Sequence, residues 1–444
     1  MCGIFAVVND HKQQAAKTTL EGLKQLEYRG YDSWGIVVKP VKSSKLKVEK
    51  MIGKIGEAKT SLPSSTLALG HTRWATHGGV TNSNAHPHLD CTKTISVVHN
   101  GIVENYQQLK ENLLQAKHKF LSETDSEVIA HLIEDETKQI DFTSAVFLSF
   151  KKIIGSNAIV ALNAKTNTLV ACRNGSPLIV GLGKDEYFLA SDVTALLPHT
   201  NQIIVLQDGQ AAEVSATGVK IFDYQTHKKI KHQVEVVDWT QESAQKGNFP
   251  HFLIKEIHEQ PGLIKKTTQL NEESFEKLKK LASKFDQVML VGCGTAYHIS
   301  LLASYYFAEV GIKAMAFQAH EFETFIKYVD KKTLVLAVSQ SGETADTLLA
   351  CKAAIEGGAT LGSVLNVRGS TLERISNLTF LVGAGPEISV VSSKASTAQL
   401  ATLYLITKAM AGKFNQAQQE LINVGKKIEK WLSPDINKGS CPVN

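Results

Sequence analysis

Cys2 is placed where a thiol and an amine can meet. Removal of Met1 makes it the N-terminus, and one residue then carries both groups. The α-amino group, with a reference pKa of about 7.7–8.0, is partly neutral near pH 7 and can take a proton. A thiol with a base on its own residue is an activated nucleophile. A bare cysteine at position 2 is more often an accident than a nucleophile. Here, however, Gly3 allows a substrate close to the backbone, and Ile4-Phe5-Ala6-Val7-Val8 reads as a buried strand. That strand would hold the thiol where a frayed terminus would not.

Arg73-Trp74-Ala75-Thr76-His77-Gly78-Gly79 gathers further reactive types into one loop. Arg73 offers a rigid fork for a carboxylate, Thr76 and His77 add hydrogen bonds, and Trp74 has the bulk of a lid. His86 and His88 fit satisfied structural histidines at least as well as site residues. A strand beginning at Ile95 runs into Asn100-Gly101. A side-chain amide beside a glycine N–H suits an oxyanion hole; the same dipeptide is also the strongest short hairpin signal. Glu123, Asp125 and Glu127 precede an apolar helical stretch and suit either a helix cap or an ammonium ligand. A thiol, an oxyanion hole, an arginine for a carboxylate and an acid for an amine make one combination. It would grip an α-amino acid by its head while cleaving its side-chain amide.

In the second half, Cys293-Gly294-Thr295 and Ser339-Gln340-Ser341-Gly342-Glu343-Thr344 each follow an apolar strand and precede a helix. An open α/β sheet binds ligands at such strand ends, and helix N-termini with hydroxyls favour phosphate. Ser/Thr N-capping is the plainer reading of a single turn of this kind, but the second run has more hydroxyls than a cap uses.

The elements that must hold these groups follow from periodicity. Residues 15–26 have helical spacing (Ala16, Leu20, Leu23, Leu26), with Gly30 expected as the C-cap. Strands are expected at 35–38, 46–48 and 67–73. Residues 234–250 are polar and read as an interdomain crossing. A helix is expected from Phe252 to just ahead of Pro261-Gly262, and a longer one over about 271–284. Strands at 287–292, 333–338 and 361–366 alternate with helices, which implies a parallel, doubly wound sheet. The expected division is a first domain over 1–240, a linker over 241–250, a second domain over 251–432 and a polar tail over 433–444.

The 444 residues carry 48 basic and 43 acidic side chains, net +5, with no basic block, so no nucleic-acid partner is expected. Asn9-Asp10-His11-Lys12 ends the first apolar run too early for a signal peptide, and no apolar stretch is long enough for a membrane span. The six cysteines (Cys2, Cys91, Cys172, Cys293, Cys351, Cys441) form no C-x-x-C pair, which fits neither a disulfide scaffold nor a zinc site. Cys172, Cys293 and Cys351 suit packing, and the expected compartment is the reducing cytoplasm. No cofactor and no metal are expected.

The first half resembles the N-terminal-nucleophile glutamine amidotransferases in several motifs, in order. These are Met1-Cys2-Gly3-Ile4-Phe5, Glu27-Tyr28-Arg29-Gly30-Tyr31-Asp32-Ser33, Gly70-His71-Thr72-Arg73-Trp74-Ala75-Thr76-His77-Gly78, His99-Asn100-Gly101-Ile102 and Thr124-Asp125-Ser126-Glu127. Two more are Arg173-Asn174-Gly175-Ser176-Pro177-Leu178 and Ala190-Ser191-Asp192. The resemblance implies an αββα sandwich. It makes Cys2 the nucleophile, with its own amine as base, and Asn100 and Gly101 the oxyanion hole. Arg73 would bind the glutamine α-carboxylate and Asp125 its α-amino group. Thr76 and His77 would line the site, and Trp74 would gate the ammonia path.

The second half resembles the sugar isomerase (SIS) domain, through the 339–344 run, Glu387-Ile388-Ser389-Val390-Val391-Ser392-Ser393-Lys394-Ala395 and the helix before Pro261. By that resemblance Thr295, Ser339, Gln340, Ser341 and Thr344 hold phosphate, and Val391 and Ser393 approach the sugar. Ala296 departs from the pattern, since a Ser often stands there. Together the halves resemble the glutamine-dependent sugar-phosphate aminotransferases. The substrates implied are glutamine and fructose 6-phosphate, the products glutamate and glucosamine 6-phosphate, and the assembly a homodimer through the SIS domain. Such proteins carry two SIS domains, and this sequence shows room for one. The alternative expectation is therefore a truncated or split form: a glutaminase with a sugar-phosphate-binding regulatory domain.

Overall fold

The computed structural model describes residues 2–43, 45–237, 246–389 and 391–433. Part of the expected linker (241–245) and all but the first residue of the expected tail (434–444) lie outside the described residues, as does Val390. Contacts divide the chain into two units, Met1–Gln241 and Glu242–Asn444, and each is described by itself.

The first unit holds two antiparallel sheets of eight and seven strands. Gly3–Asn9 lies inside the larger sheet, between Glu186–Ala190 and Ser65–Arg73. Its apolar run is unbroken because both faces are covered. Ile4, Ala6 and Val8 enter the core between the sheets, with Val98 and Val160 of the smaller sheet. Phe5 and Val7 point the other way, onto Leu20 and Leu23 of the helix Ala15–Gln25. On the far face of the smaller sheet, Ile95, Val97 and Ile159 meet the helices Glu127–Glu136 and Phe142–Lys152. The layers are helix, sheet, sheet, helix. Burying a side chain such as Phe5 is worth about 1.5–3 kcal/mol, and these alternating contacts fix which face each strand residue takes.

The second unit has a five-stranded sheet in the order Ala314–Gln318, Gln287–Gly292, Thr333–Ser339, Thr360–Leu365, Leu378–Leu381, every pair parallel. Helices cover both faces. Val288, Leu290 and Leu336 pack toward the helix Lys394–Met410, and Met289, Val291 and Val335 toward the helix Ala345–Glu356. The first strand in sequence is second in space, so the winding reverses between Gln287–Gly292 and Thr333–Ser339. Ligands of open α/β sheets bind at that crevice.

Three local expectations are corrected. Gly30 does not cap the first helix. That helix stops at Gln25, and the Leu26 N–H bonds back to Leu23 and Lys24. Gly30 is extended instead, and a Cβ there would sit 2.6 Å from Thr72 O; it is glycine because a strand passes against it. The helix Phe252–Thr267 runs through Pro261 rather than stopping before it, and it is longer than its successor Glu272–Leu281. An internal proline costs about 3 kcal/mol. Pro261 is buried, and Gly425 on the helix Phe414–Leu432 comes so close that a Cβ there would lie 3.1 Å from Pro261 O. We attribute the unbroken helix to that packing. Finally, Asn100-Gly101 is not a hairpin turn. The strand Ile95–Gly101 pairs with Asn157–Asn163, three helices away in sequence, so the dipeptide ends a strand rather than reversing the chain.

Candidate functional site

In the first unit the site gathers where Gly3–Asn9, Ser65–Arg73 and Ile95–Gly101 finish. Cys2 Sγ is bracketed by the Trp74 backbone: it accepts from Trp74 N–H at 3.3 Å and donates to Trp74 O at 3.5 Å. The Cys2 carbonyl accepts from Asn100 Nδ2 at 3.0 Å and from Arg29 Nε at 3.3 Å. Burial pushes the Cys2 thiol up, against the opposing pull of the Trp74 N–H and of Arg73 and Arg29. The thiol is therefore held neutral until a base takes its proton.

His71 sets the orientation of Asn100. Its Nε2 lies 3.1 Å from both His99 O and Asn100 Oδ1. Both partners are acceptors, so Nε2 carries the proton. The Asn100 amide then turns its oxygen to His71 and its NH₂ to Cys2. Burial lowers the His71 pKa to about 3, so the ring is neutral through the ordinary pH range.

Arg73 is buried and donates to the carbonyls of Gly79 (3.0 Å), Gly78 (3.1 Å) and His77. Among the described residues no carboxylate pairs with it. Asn84 ties this loop to the Asp125 segment: its Nδ2 donates to Gly79 O at 3.0 Å, and its Oδ1 accepts from Glu123 N at 2.9 Å. Asp125 is buried, with Oδ2 accepting from Val103 N at 2.7 Å. Glu123, Asp125 and Glu127 do not cap the helix that follows. Its first turn has no side-chain cap, and Glu127 instead accepts from Leu121 N and Ser122 N. Trp74 is 39% exposed, its ring 5.3 Å from that of Tyr31. Thr76 is exposed, and His77 packs edge-on against Tyr106.

Three supporting residues were given no individual role from sequence, although each lies inside a quoted motif. Arg29 ties Cys2 O to Asp192 (2.8 Å), His71 fixes Asn100, and Asp32 Oδ2 receives Ala75 N at 2.8 Å.

In the second unit a cavity of about 240 Å³ opens at the reversal point. Thr295, Ser339, Gln340, Ser341 and Thr344 all line it, as does Ala296. The hydroxyls do not cap the helices here. Thr344 and Gly294 precede Ala345–Glu356 and Thr295–Glu309 without any side-chain cap bond. Ser339 Oγ instead takes Gly342 N–H at 3.0 Å. Gly342 needs its positive φ of 68°, and a Cβ there would lie 2.2 Å from Ser370 Oγ. Two helix N-termini thus adjoin the cavity, and their positive dipole ends favour an anion.

Val391 and Ser393 flank the cavity wall rather than line it. Ser392 lines it, while Ser393 Oγ donates to Glu256 and Val391 is exposed. Sequence reasoning missed Gln399, which lines the cavity, is 1% exposed and has a buried Nε2 with no hydrogen-bond partner. No spacing signal marks it, since it reaches the cavity from the helix Lys394–Met410.

Comparison with known proteins gives two family matches: a glutamine amidotransferase domain over residues 71–198 and a SIS domain over 280–409. The glutamine–fructose-6-phosphate aminotransferase (isomerizing) of Clostridium tetani is 40% identical over 98% of this chain and 74% of its own length. The protein of the same name from Thermus thermophilus is 43% identical over 91% of this chain and 68% of its own. Among solved structures, the glutamine phosphoribosylpyrophosphate amidotransferase of B. subtilis covers 82% of this chain and 81% of its own, at TM-score 0.46 and 18% identity. The C-terminal domain of glucosamine-fructose-6-phosphate aminotransferase from Francisella tularensis covers 42% of this chain and 55% of its own, at TM-score 0.35 and 28% identity.

Proposed function

The chain belongs to the glutamine–fructose-6-phosphate aminotransferase (isomerizing) family, and from that premise we propose that it hydrolyses glutamine at Cys2 and directs the ammonia to fructose 6-phosphate, giving glutamate and glucosamine 6-phosphate. The thiol attacks the side-chain amide carbon, and its proton passes to the α-amino nitrogen of Cys2. The oxyanion is received by Asn100 Nδ2 and Gly101 N–H. Ammonia leaves, and water cleaves the thioester to release glutamate. Arg73 takes the substrate α-carboxylate and Asp125 its ammonium, while Thr76 and His77 line the pocket and Trp74 gates the ammonia path.

The observation that carries this reading is the Cys2–Asn100–His71 chain of contacts. It presents an amide NH₂ beside the nucleophile in a fixed orientation before substrate arrives. A buried guanidinium that, among the described residues, has no acidic partner is what a substrate carboxylate would complete.

In the second unit the sugar phosphate sits on Thr295, Ser339, Gln340, Ser341 and Thr344, with Val391 and Ser393 on the sugar side. Support comes from the two uncapped helix N-termini at the cavity. The units divide the work as residues 1–240 for glutamine and 251–432 for sugar phosphate. A homodimer through the SIS unit is part of this reading; Leu302 and Tyr305, exposed on one helix, suit such a contact. Among the described residues no helix is long and apolar enough to cross a membrane. The free state of Cys2, Cys91, Cys172, Cys293 and Cys351 suits the cytoplasm.

The chain spans 74% of its C. tetani relative, which keeps a second reading open: glutaminase chemistry here, with nitrogen transfer completed by a further segment or partner. One assay separates the two. The purified chain is given glutamine and fructose 6-phosphate, and both products are quantified. Matched glutamate and glucosamine 6-phosphate support the full reaction. Glutamate alone supports the second reading, and neither product would overturn both.

A further inference from the structure

Apart from the glutamine pocket, four donor atoms from three separate stretches of the first unit converge. They are Cys91 Sγ, on the turn after the strand His88–Leu89; His118 Nδ1, on the loop leading toward Asp125; and His131 Nδ1 and Glu134 Oε2, on the helix Glu127–Glu136. All lie within 4.8 Å of one another. The two ring nitrogens are 3.2 Å apart. Each faces the Glu134 oxygen, at 3.0 Å from His118 and 3.2 Å from His131. The sulfur stands 3.7 Å from His118 Nδ1 and 3.6 Å from His131 Nδ1.

Hydrogen bonding among these groups leaves that arrangement unexplained. With Glu134 ionised, the two Nδ1 atoms and the carboxylate oxygen form a closed triangle. If both nitrogens are protonated, two N–H groups face each other. If one is, the other turns a lone pair on the carboxylate. If neither is, three lone pairs converge. Each assignment leaves at least one repulsive edge. His118 fixes the choice further: its Nε2 lies 2.8 Å from Asp135 Oδ1. An N–H pointing to that carboxylate leaves Nδ1 as a bare lone pair in the neutral ring.

A cation at the centre turns every one of these lone pairs into a ligand. A tetrahedral site with bonds of about 2.0–2.1 Å to nitrogen and oxygen and about 2.3 Å to sulfur has N···N and N···O edges of about 3.3 Å and N···S edges of about 3.6 Å. Five of the six edges lie within about 0.3 Å of those values; the sixth, from Cys91 Sγ to Glu134 Oε2, is at most 4.8 Å, so a bound ion would draw the exposed Cys91 side chain inward. The surroundings also have the form of a metal's outer shell. A carboxylate holds the remote nitrogen of His118, Lys119 N–H donates to Cys91 Sγ at 3.5 Å, and Phe120 covers the His131 ring edge-on. The two histidines are buried (6% and 1% exposed), whereas Cys91 is exposed and leaves a way in.

We propose that Cys91, His118, His131 and Glu134 form a binding site for a divalent transition-metal ion, with Zn²⁺ the best match to a thiolate, two imidazoles and a carboxylate at tetrahedral spacing. Four protein ligands close the coordination sphere, so the role is structural. The ion clips the turn at Cys91 and the loop at His118 to the helix that begins just after Asp125. Binding releases the Cys91 thiol proton to solvent, since the thiolate is the ligand. The sequence hid the set because no two of its Cys and His members share a spacing typical of zinc motifs.

The test uses the full chain. Metal analysis of the purified protein is expected to find about one zinc per chain. After chelation, titration with Co²⁺ is expected to give a tetrahedral ligand-field spectrum with a thiolate-to-cobalt charge-transfer band. Equimolar Zn²⁺ is expected to raise the thermal midpoint of the stripped protein by roughly 5–10 °C. Cys91→Ser, at an exposed position, removes the sulfur without emptying a core. It is expected to fold with an unchanged circular-dichroism spectrum and to lose the charge-transfer band, and Glu134→Gln is expected to weaken zinc retention at least about tenfold. Two results overturn the proposal: no stoichiometric uptake of Zn²⁺ or Co²⁺ by the wild-type chain, or an unaltered cobalt spectrum in folded Cys91→Ser.

Discussion

The two units prepare for their ligands in opposite ways. Around Cys2, side chains from distant elements are locked against one another: Asn100 by His71, the Cys2 carbonyl by Arg29, the Arg73 loop by Asn84. Around the second cavity, most of the lining groups come from two short strand-to-helix turns, with Ser392 and Gln399 added from elsewhere, and their polarity is largely that of hydroxyls beside two helix N-termini. Bond-breaking demands an amide group aimed at one developing charge, which only a cross-linked set of side chains can hold. Holding a phosphate demands a field and several donors, which the end of a parallel sheet provides through its topology. In the first unit, loss of the amide group aimed at the reacting bond should therefore cost rate, and loss of a group that grips the amino-acid head should cost affinity in large steps. In the second, single substitutions should cost affinity, in smaller steps.

Among substitutions that leave the nucleophile in place, the largest effect should come from Asn100→Ala. Loss of an oxyanion donor is expected to lower kcat for glutamine hydrolysis about 10²–10³-fold with KM little changed. A fall in binding alone, read by steady-state kinetics, would contradict its role. Arg73→Lys keeps the charge and loses the fork; KM for glutamine is expected to rise about 10–100-fold with a smaller change in kcat.

In the other unit, Gln399→Leu should weaken fructose 6-phosphate binding about tenfold by calorimetry. It should leave thermal stability equal or raised, since a buried amide nitrogen without a partner is removed. Weaker binding together with a lower midpoint would point to packing instead.

A further effect, on stability rather than on rate or affinity, concerns pH. His71 titrates near pH 3 in the fold and near 6.5 unfolded. Between those values the unfolded chain binds a proton that the folded chain does not, so stability falls as pH falls, by up to about 1.4 kcal/mol per unit. His86, also buried and pushed well down, adds to the slope. His71→Gln, which can keep an N–H donor, is expected to flatten the curve of midpoint against pH by one proton's share. An unchanged slope would contradict a neutral, buried His71.

What the sequence showed and what it hid follow from the same contrast. Unbroken apolar runs such as Ile4-Phe5-Ala6-Val7-Val8 announced strands covered on both faces, and the alternation of strands and helices after residue 287 announced the parallel sheet. The candidate site residues drew notice because they sit in compact motifs, several of them at strand ends. Tertiary supports were not. His71 and Arg29 act by touching residues distant in sequence, Gln399 reaches its cavity from a remote helix, and Cys91 meets His118 and His131 only through folding. Local rules also failed where packing outweighed them. Pro261 reads as a helix stop, yet it lies inside a helix against Gly425. Asn100-Gly101 reads as a hairpin, yet its partner strand comes from Asn157–Asn163.

The most direct test of two sites, one in each unit, is Cys2→Ala, with glutamine hydrolysis and fructose 6-phosphate binding measured on the same preparation. Hydrolysis is expected to drop more than about 1000-fold while the dissociation constant for fructose 6-phosphate stays within error of the wild-type value. Retained hydrolysis would remove Cys2 as the nucleophile, and equal loss of both would contradict a division of the chemistry between the units.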